Sequence, residues 1–297
     1  MTRLSAITRP LNRAMLKLMQ TGQPSRTALS AAAHRAAHQV LEQGRIFADP
    51  LALRILGPDA DAMVAQMASQ PERRGMRLFI AARTRFAEDA LAAAVARGVR
   101  QLVVLGAGLD TFAYRNPHEA VGLRVFEVDH PATQGWKQGR LAEARLTPPA
   151  SLTYTPVDFE RSTLGEGLAA AGFDPAQPSF FTWAGVVPYL TREAVLATLD
   201  YIGALPGGAE VTFDYSDPPP TLPPDQQTDQ AKRAENVAAA GEPWLTYFAP
   251  DGLAAALRAR GFTEIEDVGP AQIAVRYFGA PNWDRTKGGH FARARAG

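Results

Sequence analysis

Short apolar runs alternate with segments of helical spacing along most of this chain. Gln101-Leu102-Val103-Val104-Leu105 is nearly free of polar interruption. An aliphatic run that short predicts a strand buried on both faces, as in a parallel sheet. Arg124–Val128, Leu152–Val157, Ser179–Trp183 and Glu210–Tyr215 repeat the pattern and predict four more strands. Two late strands are expected near Glu264–Val268 and Gln272–Tyr277. Phe79, Ala82, Phe86, Ala90 and Ala93 fall three and four apart, which predicts a long helix from Arg77 to Arg97, stopped by Gly98. The alanine-rich stretch from Thr27 to Gly44, Arg192 to Ala204 and Pro250 to Arg260 also read as helices. This alternation implies an α/β fold, a mostly parallel sheet with helices on both faces.

A Pro-rich break, Asp217 to Pro224, follows the fifth strand and leads into a polar helical stretch ending near Ala240. We read residues 216–249 as a lid insertion, residues 1–76 as an N-terminal helical cover and 77–297 as the core, all within one structural domain. From Met1 to Leu41 there are six basic residues and no acid. Such a segment can be a transit peptide. The helix that continues without a cleavage-like break favours a mature basic segment and a cytoplasmic protein.

Composition narrows the chemistry. There is no cysteine among the 297 residues, so no disulfide, thiol nucleophile or Cys-based metal site is available. A net charge of +1 argues against nucleic-acid binding by bulk charge. No apolar run is long enough to span a membrane as a helix, and no membrane partner is expected. His34 and His38 stand four apart on one helical face, but without an evident carboxylate ligand they give no metal site.

The richest segment is Val103-Val104-Leu105-Gly106-Ala107-Gly108-Leu109-Asp110-Thr111. A glycine turn at the end of a first strand lets a ligand approach the backbone. A dinucleotide site wants a third glycine where Thr111 stands, and Asp110 would repel a pyrophosphate. S-adenosylmethionine brings an ammonium and a sulfonium instead, which acids favour. Asp129, 23 residues beyond Gly106, ends the second strand at the offset of a ribose-binding acid. Glu127 has the same parity. Asp158 and Phe159, after the third strand, suit an adenine.

Together these runs, with Tyr114-Arg115, Phe126-Glu127-Val128-Asp129-His130-Pro131 and Gly185-Val186-Val187-Pro188-Tyr189-Leu190-Thr191, resemble the leucine carboxyl methyltransferase family, in particular its bacterial branch of S-adenosylmethionine-dependent methyltransferases. The resemblance covers nearly the whole chain. It implies a class I methyltransferase (Rossmann-like) fold with a seven-stranded sheet whose last strand is antiparallel. It implies Arg83 on the methionine carboxylate, Gly106 beside the methionine moiety, Asp129 on the ribose and Asp158 with Phe159 at the adenine; with Ala107, Gly108, Asp110, Glu127 and Trp183 these make up the expected cofactor site. Tyr189 and Arg83 are the residues expected at the transfer step. One position departs: where the family carries a glutamate, this chain has Ala184. That leaves open a non-methylating member, beside a nicotinamide oxidoreductase.

Transfer from a sulfonium needs alignment and exclusion of water. A carboxylate acceptor is already ionised, whereas a phenol or alcohol needs a base. His130 is the best histidine for that role, while His118 and His290 read as solvated loop residues. The scarcity of bases favours a small-molecule carboxylic acid, with S-adenosyl-L-homocysteine as the other product and phenol O-methylation as the rival. Arg115 and Arg276 could clamp the acid, Tyr189 and Tyr215 could donate to it, and Trp244 and Tyr247 could wall its pocket. Oligomeric state stays open, a homo-oligomer included.

Overall fold

The computed structural model describes residues 25–297 apart from 160, 240, 281 and 284. The basic positions Arg3, Arg9, Arg13 and Lys17 lie outside the described residues. Ser25 opens the first described helix, its hydroxyl accepting the Ala28 amide at 3.1 Å. This cap satisfies a donor that no helical carbonyl can reach. Helix α1 (Arg26–Leu41) buries Ala32, Ala33, Ala36 and Ala37 against α2 (Ala52–Leu56) and α3 (Ala60–Ala68), through Ile55, Leu56, Val64 and Met67. The opposite stripe, Thr27, Ser30, Ala31 and His34, faces a cavity. The 23-residue α4 (Arg74–Ala96) follows.

The core then alternates β1 (Gln101–Leu105), β2 (Arg124–Asp129), α5 (Pro131–Glu143), β3 (Leu152–Pro156), α6 (Leu164–Ala170), β4 (Ser179–Trp183), α7 (Arg192–Gly203) and β5 (Ala209–Ser216). After β5 come α8 (Pro224–Ala239), α9 (Pro250–Arg258), β6 (Phe262–Val268), α10 (Pro270–Ile273) and β7 (Gly289–Ala296). The seven strands form one sheet in the order β3-β2-β1-β4-β5-β7-β6, parallel except for β7. All five residues of β1 are buried. Val103 and Leu105 pack with α6, α7 and α9, while Leu102 and Val104 pack with Ala90, Leu91, Ala94 and Val95 of α4. Period-two alternation thus feeds two separate cores, which is why the run lacks polar positions.

One expected strand is misplaced. Gln272–Tyr277 is helical, since Pro270 starts α10 and a π-helical turn continues over Ala274–Phe278. The true last strand is Gly-His-Phe-Ala-Arg-Ala-Arg-Ala, antiparallel to its neighbours as the resemblance implied. Its alanines are buried, and its arginines pair with acids on neighbouring strands: Arg293 Nε to Glu210 at 2.5 Å and Arg295 Nη2 to Glu264 at 2.5 Å. Alanine is too weak an apolar signal to mark a strand against alternating arginine. No described helix is long and apolar enough to cross a membrane.

Candidate active site

A cavity of about 880 Å3 opens at the carboxyl ends of β1, β2, β4 and β5, where a topological switch point is expected to place a ligand. Its floor is the glycine turn. Gly106 has φ +64°, and a Cβ there would come within 2.6 Å of Val186 Cγ2, so conformation and space both require glycine. Gly108 has φ +46° and lies beneath Ala28 of α1. Helix α1 is tied over this turn: Arg35 Nη2 donates to the Leu109 carbonyl at 2.5 Å, and the Thr27 amide donates to Glu242 Oε2 at 3.1 Å.

Asp129 lines the cavity, its Oδ2 accepting Gly108 N at 2.6 Å and its Oδ1 accepting His130 N at 2.7 Å. Burial raises its pKa against these two amide bonds. Asp110 and Ala107 also line it, and Asp110 Oδ1 caps the Phe112 amide at 2.7 Å. Arg83, on the cavity face of α4, donates Nη1 to Asp214 Oδ2 at 2.9 Å. Its Nε is sealed without a partner, and its Nη2 makes no hydrogen bond among the described residues. Asp214 Oδ1 takes the Gly185 amide at 2.5 Å. Gly185 has φ +73°, and a Cβ there would press on Arg83 at 2.7 Å. Tyr189, Trp244 and Tyr247 complete the wall. Burial raises the Tyr189 pKa, opposed by Trp244 and by the Arg83 charge.

Other expected site residues lie elsewhere. Glu127 is fully buried outside the cavity wall, because Lys137 of α5 draws its carboxylate to 2.6 Å. Burial pushes that carboxyl up to about 7 despite the lysine. Trp183 is a core residue, edge-on to Phe213. Asp158 and Phe159 are not part of the wall, although the Val157 amide bonds the Asp129 carbonyl beside them. Phe159 is exposed. Arg115 serves structure, bound to Glu88 and Asp49 and stacked over Phe47. Arg276 pairs with Glu266 outside the cavity. Tyr215 reaches the wall, but its hydroxyl is committed to Asp267.

The histidines also differ from expectation. His130 caps α5, its Nδ1 accepting the Ala132 amide at 3.2 Å, and does not line the cavity. His290 is buried, holding Asp267 at 2.7 Å and Asp217 at 3.0 Å and stacking on Tyr215. Burial opposes its charge, but the two carboxylates win and raise its pKa. His38 bonds Glu42, a carboxylate four residues on along the same face that the sequence reading overlooked, and Glu42 is itself gripped by Arg77. His34 is the imidazole in the wall among the described residues. Sequence reasoning missed His34 and Asp214 as cavity-lining residues, and Glu242 as the acceptor that ties α1 down outside the wall. Only Asp214 carried a signal: it continues the polar alternation Glu210, Thr212, Asp214 within an apolar strand.

The leucine carboxyl methyltransferase model matches residues 28–203. The chain belongs to the leucine carboxyl methyltransferase family. It is 34% identical over 198 residues to a Bacillus subtilis protein named "Putative S-adenosyl-L-methionine-dependent methyltransferase YktD", a match covering 66% of this chain and 65% of that protein. A relative of the same designation from Frankia alni is 39% identical over 185 residues, covering 60% of this chain and 64% of the relative. Each match thus spans just under two thirds of the relative's length. A solved duf574 family protein from Streptomyces avermitilis shares the fold at TM-score 0.50 and 18% identity, covering 89% of this chain and 97% of that one.

Proposed function

We propose that this family member is an S-adenosylmethionine-dependent O-methyltransferase that esterifies a carboxylate of a small molecule. The observation that carries the cofactor assignment is the glycine cradle with Arg83 and Asp129 on the same cavity. The donor set fits the cofactor's ends. Arg83 offers its unfilled Nη2 to a carboxylate, Asp129 an acceptor to ribose hydroxyls, and Asp110 and Asp214 negative charge near an ammonium. When bound, S-adenosylmethionine supplies an electrophilic methyl group on its sulfonium.

The chain's own contribution is positioning. Tyr189 and Trp244 wall the space beyond the cradle, where a bound acceptor would displace water. His34 is a poor base, because burial and then the charges of Arg73, Arg77 and Arg83 push its pKa down to about 4. A phenol or alcohol would need a proton acceptor closer to neutrality, whereas a carboxylate needs none. Arg73 and Arg233 add positive charge to the same wall, which suits an acid.

Calorimetry with S-adenosylmethionine and S-adenosyl-L-homocysteine tests the cofactor assignment, and absence of binding to both by folded protein overturns it. Incubation with methyl-labelled cofactor and a panel of carboxylic acids and phenols tests the acceptor. A methyl ester releases volatile labelled methanol in base and a methyl ether does not, so base-stable label alone would sink the carboxylate assignment.

A further inference from the structure

His34 has no structural task that accounts for it. It is 4% exposed and lies on the cavity stripe of α1, facing Phe79, Ile80 and Arg83 of α4 across the same wall. Its Nδ1 is sealed from solvent with no hydrogen-bond partner among the described residues. Its Nε2 has no partner among the described residues either, and it is not among the sealed atoms. A buried polar ring is normally satisfied within the protein, so one aimed into a cavity and left unsatisfied points to a ligand. An orphaned buried N–H is rarer than an orphaned lone pair, which places the ring proton on Nε2, the nitrogen still open. Arg83, within electrostatic range of this ring, likewise keeps a donor, Nη2, without a partner among the described residues. Two donors with no acceptor, on adjoining turns of two packed helices, suit a single carboxylate.

We propose that His34 is a cofactor-binding residue, its ring N–H joining Nη2 of Arg83 to seat the carboxylate of the cofactor's amino-acid end. This rests on the S-adenosylmethionine reading above. The neutral state of the ring is consistent with the role, because a neutral imidazole donates through one nitrogen without adding a fourth positive charge beside Arg73, Arg77 and Arg83. Among the described residues no hydrogen bond joins Asp129 to His34 or Arg83, so a loss at the amino-acid end is expected to leave the ribose contact in place.

The test compares two probes by calorimetry on the full chain. S-adenosyl-L-homocysteine carries the amino-acid end, and 5′-methylthioadenosine lacks it. His34→Leu is expected to weaken S-adenosyl-L-homocysteine about tenfold, as for loss of one hydrogen bond to a charged group, and to leave 5′-methylthioadenosine unchanged. His34→Gln, whose amide can donate from a similar reach, is expected to recover most of the loss, while His34→Ala behaves as His34→Leu. Unchanged S-adenosyl-L-homocysteine affinity in His34→Leu and His34→Ala overturns the proposal. So does an equal loss for both probes, which would make His34 a packing residue. Wild-type protein that binds neither probe overturns the cofactor assignment itself, an outcome distinct from either.

Discussion

Arg83 of α4 and Asp214 of β5 are joined at 2.9 Å in the cavity wall, and the same carboxylate holds the Gly185 amide. Trp183 pairs with Phe213 in the parallel register of β4 and β5, so the next residues, Ala184 and Asp214, come level. The carboxylate that the family resemblance places at residue 184 therefore has a counterpart one strand away. Asp214→Asn is expected to weaken S-adenosyl-L-homocysteine about tenfold, because Arg83 loses its anchor and the site loses a negative charge. Adding Ala184→Glu to Asp214→Asn should recover part of that affinity. Calorimetry showing no loss in Asp214→Asn would leave the pair without a role in binding.

Gly106→Ala tests the cradle. The substitution places a Cβ 2.6 Å from Val186 Cγ2 at a φ of +64°, so it meets both a clash and a left-handed backbone. Cofactor affinity should fall at least about tenfold, with a stability cost of about 1–2 kcal/mol. Val186→Ala in the same chain removes the clash and leaves the backbone strain, so it should restore only part of the stability. Full restoration in thermal unfolding would show that the φ requirement is not the limiting one.

The fold was legible because its signals are local. β1 reads as a strand in its own five residues, and Gly106 and Gly108 follow at once. Asp129 was legible for the same reason, by its offset and its place at a strand end. Failures came where a side chain's destination is set by another element. Glu127 shares the parity of Asp129, yet Lys137 of α5 holds it in the interior. Arg115 looked like a clamp until Asp49 and Glu88 met it, and nothing near residue 115 announces either acid. His34 could not be separated from His38 by spacing. One faces the cavity and the other bonds Glu42, a difference fixed by how α1 packs on α4.

Lys137 and Glu127 form a fully buried pair at 2.6 Å, and Glu127 Oε1 has no partner among the described residues. Removing the cation strands a carboxylate in the interior. Lys137→Met is expected to destabilise the protein by about 3 kcal/mol at pH 8. Glu127 titrates near 7 when folded against an ordinary 4.5, so its protonated form stabilises the fold at low pH and that contribution is lost as pH rises through 7. The cost of Lys137→Met should therefore shrink toward pH 6, where the carboxyl can stay neutral. Adding Glu127→Gln should recover much of it. Denaturant titrations at both pH values decide, and a pH-independent cost would mean that lost packing, not the stranded charge, is responsible.

His34 gives a second, opposite pH signature. Its folded pKa of about 4 lies below the ordinary 6.5, with burial as the main cause. Between those values the unfolded chain takes up a proton that the folded chain refuses. Stability is therefore intact above about 6.5, falls as the pH drops, and levels off below about 4. The full difference corresponds to about 3 kcal/mol. His34→Gln has no such group, so its stability should fall less than wild type between pH 7 and pH 4.5, by about 2 kcal/mol. The comparison uses the change with pH in each protein, which removes the direct effect of the substitution on packing. The contributions of His38, His118, His290 and Glu127 are common to both proteins and cancel. Equal acid sensitivity in urea titrations of the two would show that the folded protein protonates His34 as readily as the unfolded chain does. The ring would then carry a charge at the cavity wall that its burial and three neighbouring arginines argue against.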